Sequence, residues 1–356
     1  MEAVKQFVKD LTIEEIIKKC ECSPYHFKFS QSNELFMLSF TEKSDLSLEV
    51  VRHMNGVIFD SNQNNKVIHY SFPKAYDNFN DDRFKDTYKM TKPQKYDIEI
   101  STEGTHVKLY YHNDEWKVST SRSIEASLSR WNSDISFLEM FKECCYFDKI
   151  NIQGLDRKYC YSFVIQHPKN RVSFEVLTPY ASMLNYVDLN TNEVFKTTLG
   201  LRVEKTIEEI EEEVENHNYQ NYIVYFDDAR VKISSESYLI LKSLVKNDTK
   251  VEKIYIRSIK KNLTEIVNDV FKNHHETFDY IDFRINEVVH TIHKNYMDTY
   301  VHKKTDLEIN ERYEKSLKKL HWIYRKCKTI ITKDIVYSEL FNLDEKTILW
   351  ILEVKY

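Results

Sequence analysis

Five consecutive residues, Ser101-Thr102-Glu103-Gly104-Thr105, bring together hydroxyls, a carboxylate and one of only four glycines in a chain of 356 residues. Glycine at that place predicts a tight turn or bulge with positive φ, or a backbone that lies close to a bound nucleotide. Ser101 is a nucleophile by type, yet no Ser-His-Asp arrangement is visible near it, so acyl transfer does not follow. A second constellation is Arg230-Val231-Lys232. Cations two apart on a strand share one face, which suits contact with phosphates, although ordinary strand-edge charges read the same way. The third is basic: Lys315, Lys318, Lys319, Arg325, Lys326 and Lys328 flank Trp322 and Tyr324. Basic heads neutralise phosphates while rings stack on bases, a mixture that suits RNA; a solvated helix whose aromatics face the core would use the same residues. His290 and His293 lack an H-E-x-x-H pattern and a third ligand, so a polar helical stripe is expected there and no metal. The six cysteines form no C-x-x-C pair, which predicts reduced thiols.

The elements that must position these groups divide the chain. Ten segments before residue 230 carry strand patterning: "HFKFS", "LFMLSF", "GVIFD", "KVIHYSF", "DIEIS", "HVKLYYH", "EWKVSTS", "YSFVIQ", "VSFEVL" and "YIVYF". They predict a large antiparallel sheet system. Helices are expected at about 4–20, 123–145 and 206–217, the second burying Leu128, Trp131, Phe137 and Phe141. After residue 236 the apolar period becomes 3.6, and a helical domain follows. The acidic run Glu208 to Glu215 is a solvated helix face. The reading is α+β, with a β-rich domain over 1–240 and an all-helical domain over 241–356. The net charge of -5 argues against a chain coated in basic residues for nonspecific nucleic-acid binding. Residues 241–356 nevertheless carry a balance of about +4 against about -9 for the rest, so phosphate attraction is expected toward the C-terminal end. No run of about 18 apolar residues and no signal-peptide segment appear, which predicts a cytoplasmic protein without a membrane partner. Abundant Tyr, Lys, Asn and Ile with scarce Gly, Pro and Ala look like the coding bias of an AT-rich genome such as that of a giant virus.

The order "NGVIFD…KVIHYSFPKAYDNF", "TEGTHVKLYYHNDEWKVSTSR", "FVIQHPKNRV", "NYIVYFDDARVKISSESYLIL" resembles the RNA ligase family related to the phage T4 enzymes, within the covalent nucleotidyltransferase superfamily. The likeness spans roughly residues 50–245 and is nearest to large-virus relatives. It implies a nucleotidyltransferase domain of ATP-grasp-like ligase fold, ATP and Mg2+ as cofactors of an active member, and RNA as partner. It also implies a nucleotide site built from Ser101, Glu103, Gly104, Thr105, Arg122, Gln220, Arg230 and Lys232.

Family members attack the α-phosphate of ATP with the lysine of K-x-D-G, because a desolvated amine forms a phosphoramide that still reacts onward. Ser101 stands where that lysine belongs. Val164 replaces the glutamate of F-E, although Phe163, His167, Pro168, Asn170 and Arg171 keep the rest of that segment, and Gln220-Asn221 replaces an E-G whose carboxylate helps to place the metal. The expectation is an RNA-ligase-like protein that binds a nucleotide or RNA ends, with lysine adenylylation lost or impaired. Two alternatives stand beside it: an active ligase using a displaced lysine, with Lys74, Lys95 and Lys108 as candidates, and a non-catalytic interaction scaffold.

Overall fold

The computed structural model describes residues 1–88, 93–130, 133–170, 174, 176–197, 202–216, 219–226, 229–246, 248 and 250–355. They separate into two compact units, Met1–Leu239 and Ile240–Tyr356.

The first unit opens with α1 (Glu2–Val8) and α2 (Ile13–Glu21), where the sequence pattern suggested one helix. Asp10 breaks it by entering the left-handed region at φ 55, and Thr12 then starts α2 with a reciprocal capping box to Glu15. Strands β1 (Lys28–Ser32), β2 (Leu35–Ser39), β3 (Asn55–Asp60) and β4 (Lys66–His69) form an antiparallel sheet in the order β1-β2-β3-β4, with α3 (Glu49–His53) between β2 and β3. After α4 (Asp82–Tyr88) come β5 (Asp97–Ile100), β6 (Thr105–His112), β7 (Glu115–Thr120), α5 (Phe137–Phe147), β8 (Tyr159–Gln166), β9 (Tyr180–Asp188), β10 (Glu193–Lys196) and β11 (Arg202–Val203). The unit closes with α6 (Ile207–Glu215), β12 (Asn221–Phe226), β13 (Ala229–Ser234) and the first residues of α7 (Glu236–Val245). Two further sheets result, β10-β9-β8-β6-β7 and β11-β5-β12-β13. All three are antiparallel between their named strands, and the chain is α+β. The segment "VSFEVL" falls largely outside the described residues.

Period-two alternation decides which side chains of β6 reach which layer. Val107 and Leu109 join a core with Phe137, Met140 and Phe141 of α5, whereas Tyr110 on the other face belongs to the core around Phe36 and Phe59. A third core gathers Tyr76, Phe84, Val224 and Val231. The helix expected over 123–145 begins at Phe137, because Ser136 caps it with a capping box to Glu139 and the serine-rich stretch before it turns instead. Leu128 is accordingly exposed at 74%, contrary to its expected burial, while Phe137 and Phe141 are buried. Trp131 lies outside the described residues. Ser136→Ala should cost about 1 kcal/mol of unfolding free energy, measured by denaturant titration.

The second unit contains the rest of α7, then α8 (Val251–Lys261), α9 (Thr264–Val270), α10 (His275–Tyr296), α11 (Glu311–Cys327), α12 (Lys333–Phe341) and α13 (Glu345–Ile351). Its long helix α10 buries Phe278, Ile281, Ile285, Val288, Val289, Ile292 and Tyr296 at 3.6 spacing, and the rings of Tyr255 and Phe278 stack with centroids 4.3 Å apart. His290 is exposed and His293 contacts the carbonyl of Ile331 at 3.1 Å. No group of three or more metal-ligating side chains comes together among the described residues. No helix among them is long and apolar enough to cross a membrane.

Candidate functional site

Between β5 and β6 the chain 101–104 is fastened by three neighbours. Ser101 N donates to the carbonyl of Asn221 at the start of β12 (2.8 Å), Gln166 Nε2 donates to the carbonyl of Glu103 (2.7 Å), and Asn170 Nδ2 donates to Thr105 Oγ1 (2.7 Å). Asn170 is itself set by a turn at the end of β8, in which its amide donates to His167 O (2.8 Å) and His167 Nε2 pairs with Glu143 of α5 (2.8 Å). Gly104 is required here for a reason other than the expected positive φ. A Cβ built on it would stand 2.4 Å from the carbonyl oxygen of Ile165 and 2.9 Å from Val164 Cγ1, so the glycine permits β8 to pass against the turn.

This turn forms one wall of an open cavity of about 930 Å³, lined by Ser101, Thr102, Glu103, Gly104, Gln166, Asn170, Phe174, Tyr180, Glu213, Tyr219, Gln220 and Asn221, among others. Its chemistry is amide and aromatic. Phe174 lies edge-to-face with Tyr219 (6.1 Å) and stacked with Tyr238 (6.3 Å). Tyr238 Oη donates to Glu103 Oε1 at 2.6 Å, and burial followed by the Glu103 charge holds that phenol strongly in its protonated form. Lys232 Nζ rests 4.9 Å from the centre of the same ring, which joins the β13 cation to the Glu103 carboxylate.

Of the expected nucleotide-site residues, Ser101, Glu103, Gly104 and Gln220 line the cavity, with Thr105 just behind and Lys232 reaching it through Tyr238. Arg122 stands elsewhere, exposed on the turn after β7, where its carbonyl accepts from Lys28 Nζ (2.8 Å). Arg230 is buried under Phe72 and donates to the carbonyl of Pro73 (2.6 Å). Phe174, Glu213, Tyr219 and Tyr238 escaped the sequence reading. Phe174 lies in a strand-like segment, Glu213 in the acidic run and Tyr238 beyond Arg230-Val231-Lys232, and only folding brings them with Tyr219 to the turn.

A cationic group stands on the face of β6 opposite its α5-packed side. His106 is solvent-exposed beside these cations; desolvation, and then Lys108, Arg230 and Lys232, lower its pKa to about 4. Lys108 is 2% exposed, and burial brings its amine down to about 8. Its Nζ donates to the carbonyl of Asn55 (2.7 Å), and its stem passes Gly56, where an added Cβ would meet Lys108 Cε at 2.7 Å. Gly56 holds φ +69, so both its conformation and this close approach call for glycine. The buried His69, lowered well below its usual range by burial and by Lys108, completes the inner part of the group. Of the other candidate lysines, Lys74 pairs with Asp77 (2.9 Å) and Lys95 is exposed; none of the three lines the cavity.

In the second unit, α11 turns Tyr313, Leu317 and Leu320 inward and leaves Lys315, Lys318, Lys319, Arg325 and Lys326 exposed, with Lys328 exposed just beyond its end. Trp322 and Tyr324 are 49% and 43% exposed, so these aromatics do not both serve a core.

No protein-family model matches the chain. Over 106 residues, 29% of this chain, it is 27% identical to an immediate-early protein ICP-46 homolog of Invertebrate iridescent virus 3, and the match spans only 24% of that protein's length. Among solved structures it is similar to an archaeal ATP-dependent RNA ligase, at 10% identity and a TM-score of 0.42, over 79% of this chain and 82% of that one. It is also similar to a variant of Naegleria gruberi RNA ligase solved with ATP and Mn, at 13% identity and a TM-score of 0.30, over 41% of this chain and about half (51%) of that one.

Proposed function

We propose that the cavity at Gly104 binds a nucleotide or an RNA end in an RNA-ligase-like protein that no longer transfers AMP to a lysine. The observation that carries this reading is the cavity wall itself. Ser101 lines it beside Glu103 and Gly104, at the place where the resemblance expects the nucleophile, and no lysine is among the described residues lining it. A hydroxyl forms no phosphoramide, and the amine of Lys108 is engaged by a backbone carbonyl. The aromatic group of Phe174 and Tyr219 suits a stacked base, with the amides of Gln166, Asn170 and Gln220 available to its polar edge. His106 and Lys232 are the groups that would meet its phosphates.

The residues present do not fit a resident divalent metal. The two carboxylates in the wall are already engaged, Glu103 by Tyr238 and Glu213 by Lys205, and the described residues hold no three-ligand cluster. No step is therefore assigned to a metal, and Mg2+ enters this reading only as the counter-ion of a bound nucleotide. A large-virus origin belongs to the same reading, supported by the AT-rich style of the composition and the likeness to an iridescent virus protein.

Incubation with α-labelled ATP or GTP and Mg2+, followed by denaturing electrophoresis, should leave no label on the protein. Acid-labile, alkali-stable label would overturn the loss of adenylylation. Equilibrium binding tests the site itself: Phe174→Ala should weaken ATP about tenfold. Bound phosphates should also raise the His106 pKa, followed by NMR, because an anion favours the imidazolium that desolvation and then three nearby cations disfavour. Binding of 5′-phosphorylated and nicked RNAs across a salt series separates an RNA-end site from a scaffold, which would retain neither.

A further inference from the structure

From Lys315 to Lys333 the chain carries seven lysines and arginines and no acidic residue. Helical geometry sorts them. At 3.6 residues per turn, Tyr313, Leu317 and Leu320 form the buried stripe of α11, and Lys315, Lys319, Trp322 and Lys326 lie together on the side away from it. Trp322 is half exposed, and two ammonium groups attend its ring, Lys319 Nζ at 4.5 Å and Lys326 Nζ at 4.8 Å from the centroid. Burial would explain a large indole on an amphipathic helix, but this one is on the solvent side. Both ammonium groups lie over its ring in cation–π contact, which places them beside any base that stacks there.

We propose that the outer face of α11 is a binding platform for single-stranded nucleic acid, read without sequence preference, with Trp322 as the stacking surface for a base and Lys315, Lys319 and Lys326 as contacts to flanking phosphates. Charge complementarity selects a polyanion, because from Lys315 onward this face carries only positive charge, with Glu311 confined to the first turn of the helix, within a chain of net charge -5. The exposed indole selects a polyanion with unpaired aromatic bases over one without them, since every base offers a π-face and a duplex keeps its own bases stacked. This platform is built entirely from the second unit and stands or falls apart from the nucleotide reading of the cavity at Gly104.

The experiment is fluorescence anisotropy of labelled 20-nucleotide oligouridylate with the full chain over a salt series. Trp322→Ala should weaken binding about tenfold with the salt slope unchanged, and Trp322→Phe should retain most of the affinity. The double variant Lys319→Gln with Lys326→Gln should reduce the slope of log K against log salt by about 1.4, the share of two phosphates on a single strand. Thermal midpoints of all variants confirm folding, and the phenylalanine variant carries the test of stacking should the alanine variant unfold. The proposal is overturned if Trp322→Ala binds as tightly as the parent, if duplex RNA of equal length binds as well as the single strand, or if phosphatidylserine vesicles bind and the oligonucleotide does not. Absence of ATP binding by the parent chain, with oligouridylate binding retained, would count against the cavity alone.

Discussion

Gly104→Ala is expected to lower the unfolding free energy by about 3 kcal/mol, the upper part of the usual range for an overpacked site. The added methyl group would stand 2.4 Å from the carbonyl oxygen of Ile165, a backbone atom that cannot rotate aside as a side chain could. Relief would require β6 to part from β8 at the pairs Thr105↔Ile165 and His106↔Val164. The displacement would pass to the cavity, because Glu103 is held by Gln166 through its carbonyl and by Tyr238 through its carboxylate. ATP binding should therefore weaken together with stability. Urea unfolding and equilibrium nucleotide binding on the same variant measure both, and a variant with an unchanged transition midpoint would refute the close-approach account of this glycine.

Lys108→Met is expected to make the protein more stable at pH 7 by about 1 to 2 kcal/mol and to lose that advantage as pH rises. The amine titrates near pH 8 in the folded chain against its ordinary 10.5. Below pH 8 the folded state holds a charged, buried ammonium, a penalty of about 3 kcal/mol from the difference between those two values. Between pH 8 and 10.5 the unfolded chain binds the proton and the folded chain does not. Parent stability therefore rises across that window as the penalty disappears. Methionine fills similar space without charge and sacrifices the hydrogen bond to Asn55 O, worth about 1 kcal/mol. The difference between parent and variant, followed from pH 7 to 10.5, isolates Lys108 from other groups that titrate there. A constant difference would mean that the amine is hydrated in solution and the burial argument is wrong.

Much of the architecture was legible in the residues. Alternation predicted nine of the ten named strand-like segments as they stand in the described structure, from "HFKFS" to "YIVYF", because half-buried antiparallel strands must present one apolar face. Strands whose burial depends on distant partners were not legible: β9, long but weakly alternating, is placed by its pairing with β8, and the short β10 by its pairing with β9. The N-terminal helix was misread as continuous because Asp10 in a left-handed conformation leaves little mark on the pattern, and Thr12 with Glu15 is a capping signal that was passed over.

The candidate site divides in the same way. Residue type alone determined that Ser101 cannot form a phosphoramide and that the segment 315–333 carries one sign of charge. Tertiary structure decided why Gly104 is a glycine, since the carbonyl it must clear belongs to a strand some sixty residues away, and it removed Arg122 and Arg230 from the cavity wall. It also turned Trp322 to solvent between two lysines and supplied the aromatic lining at Phe174 and Tyr219. Local chemistry is written in residue type, whereas close approach, burial and shared walls arise from residues far apart in sequence, whose proximity is set only by packing.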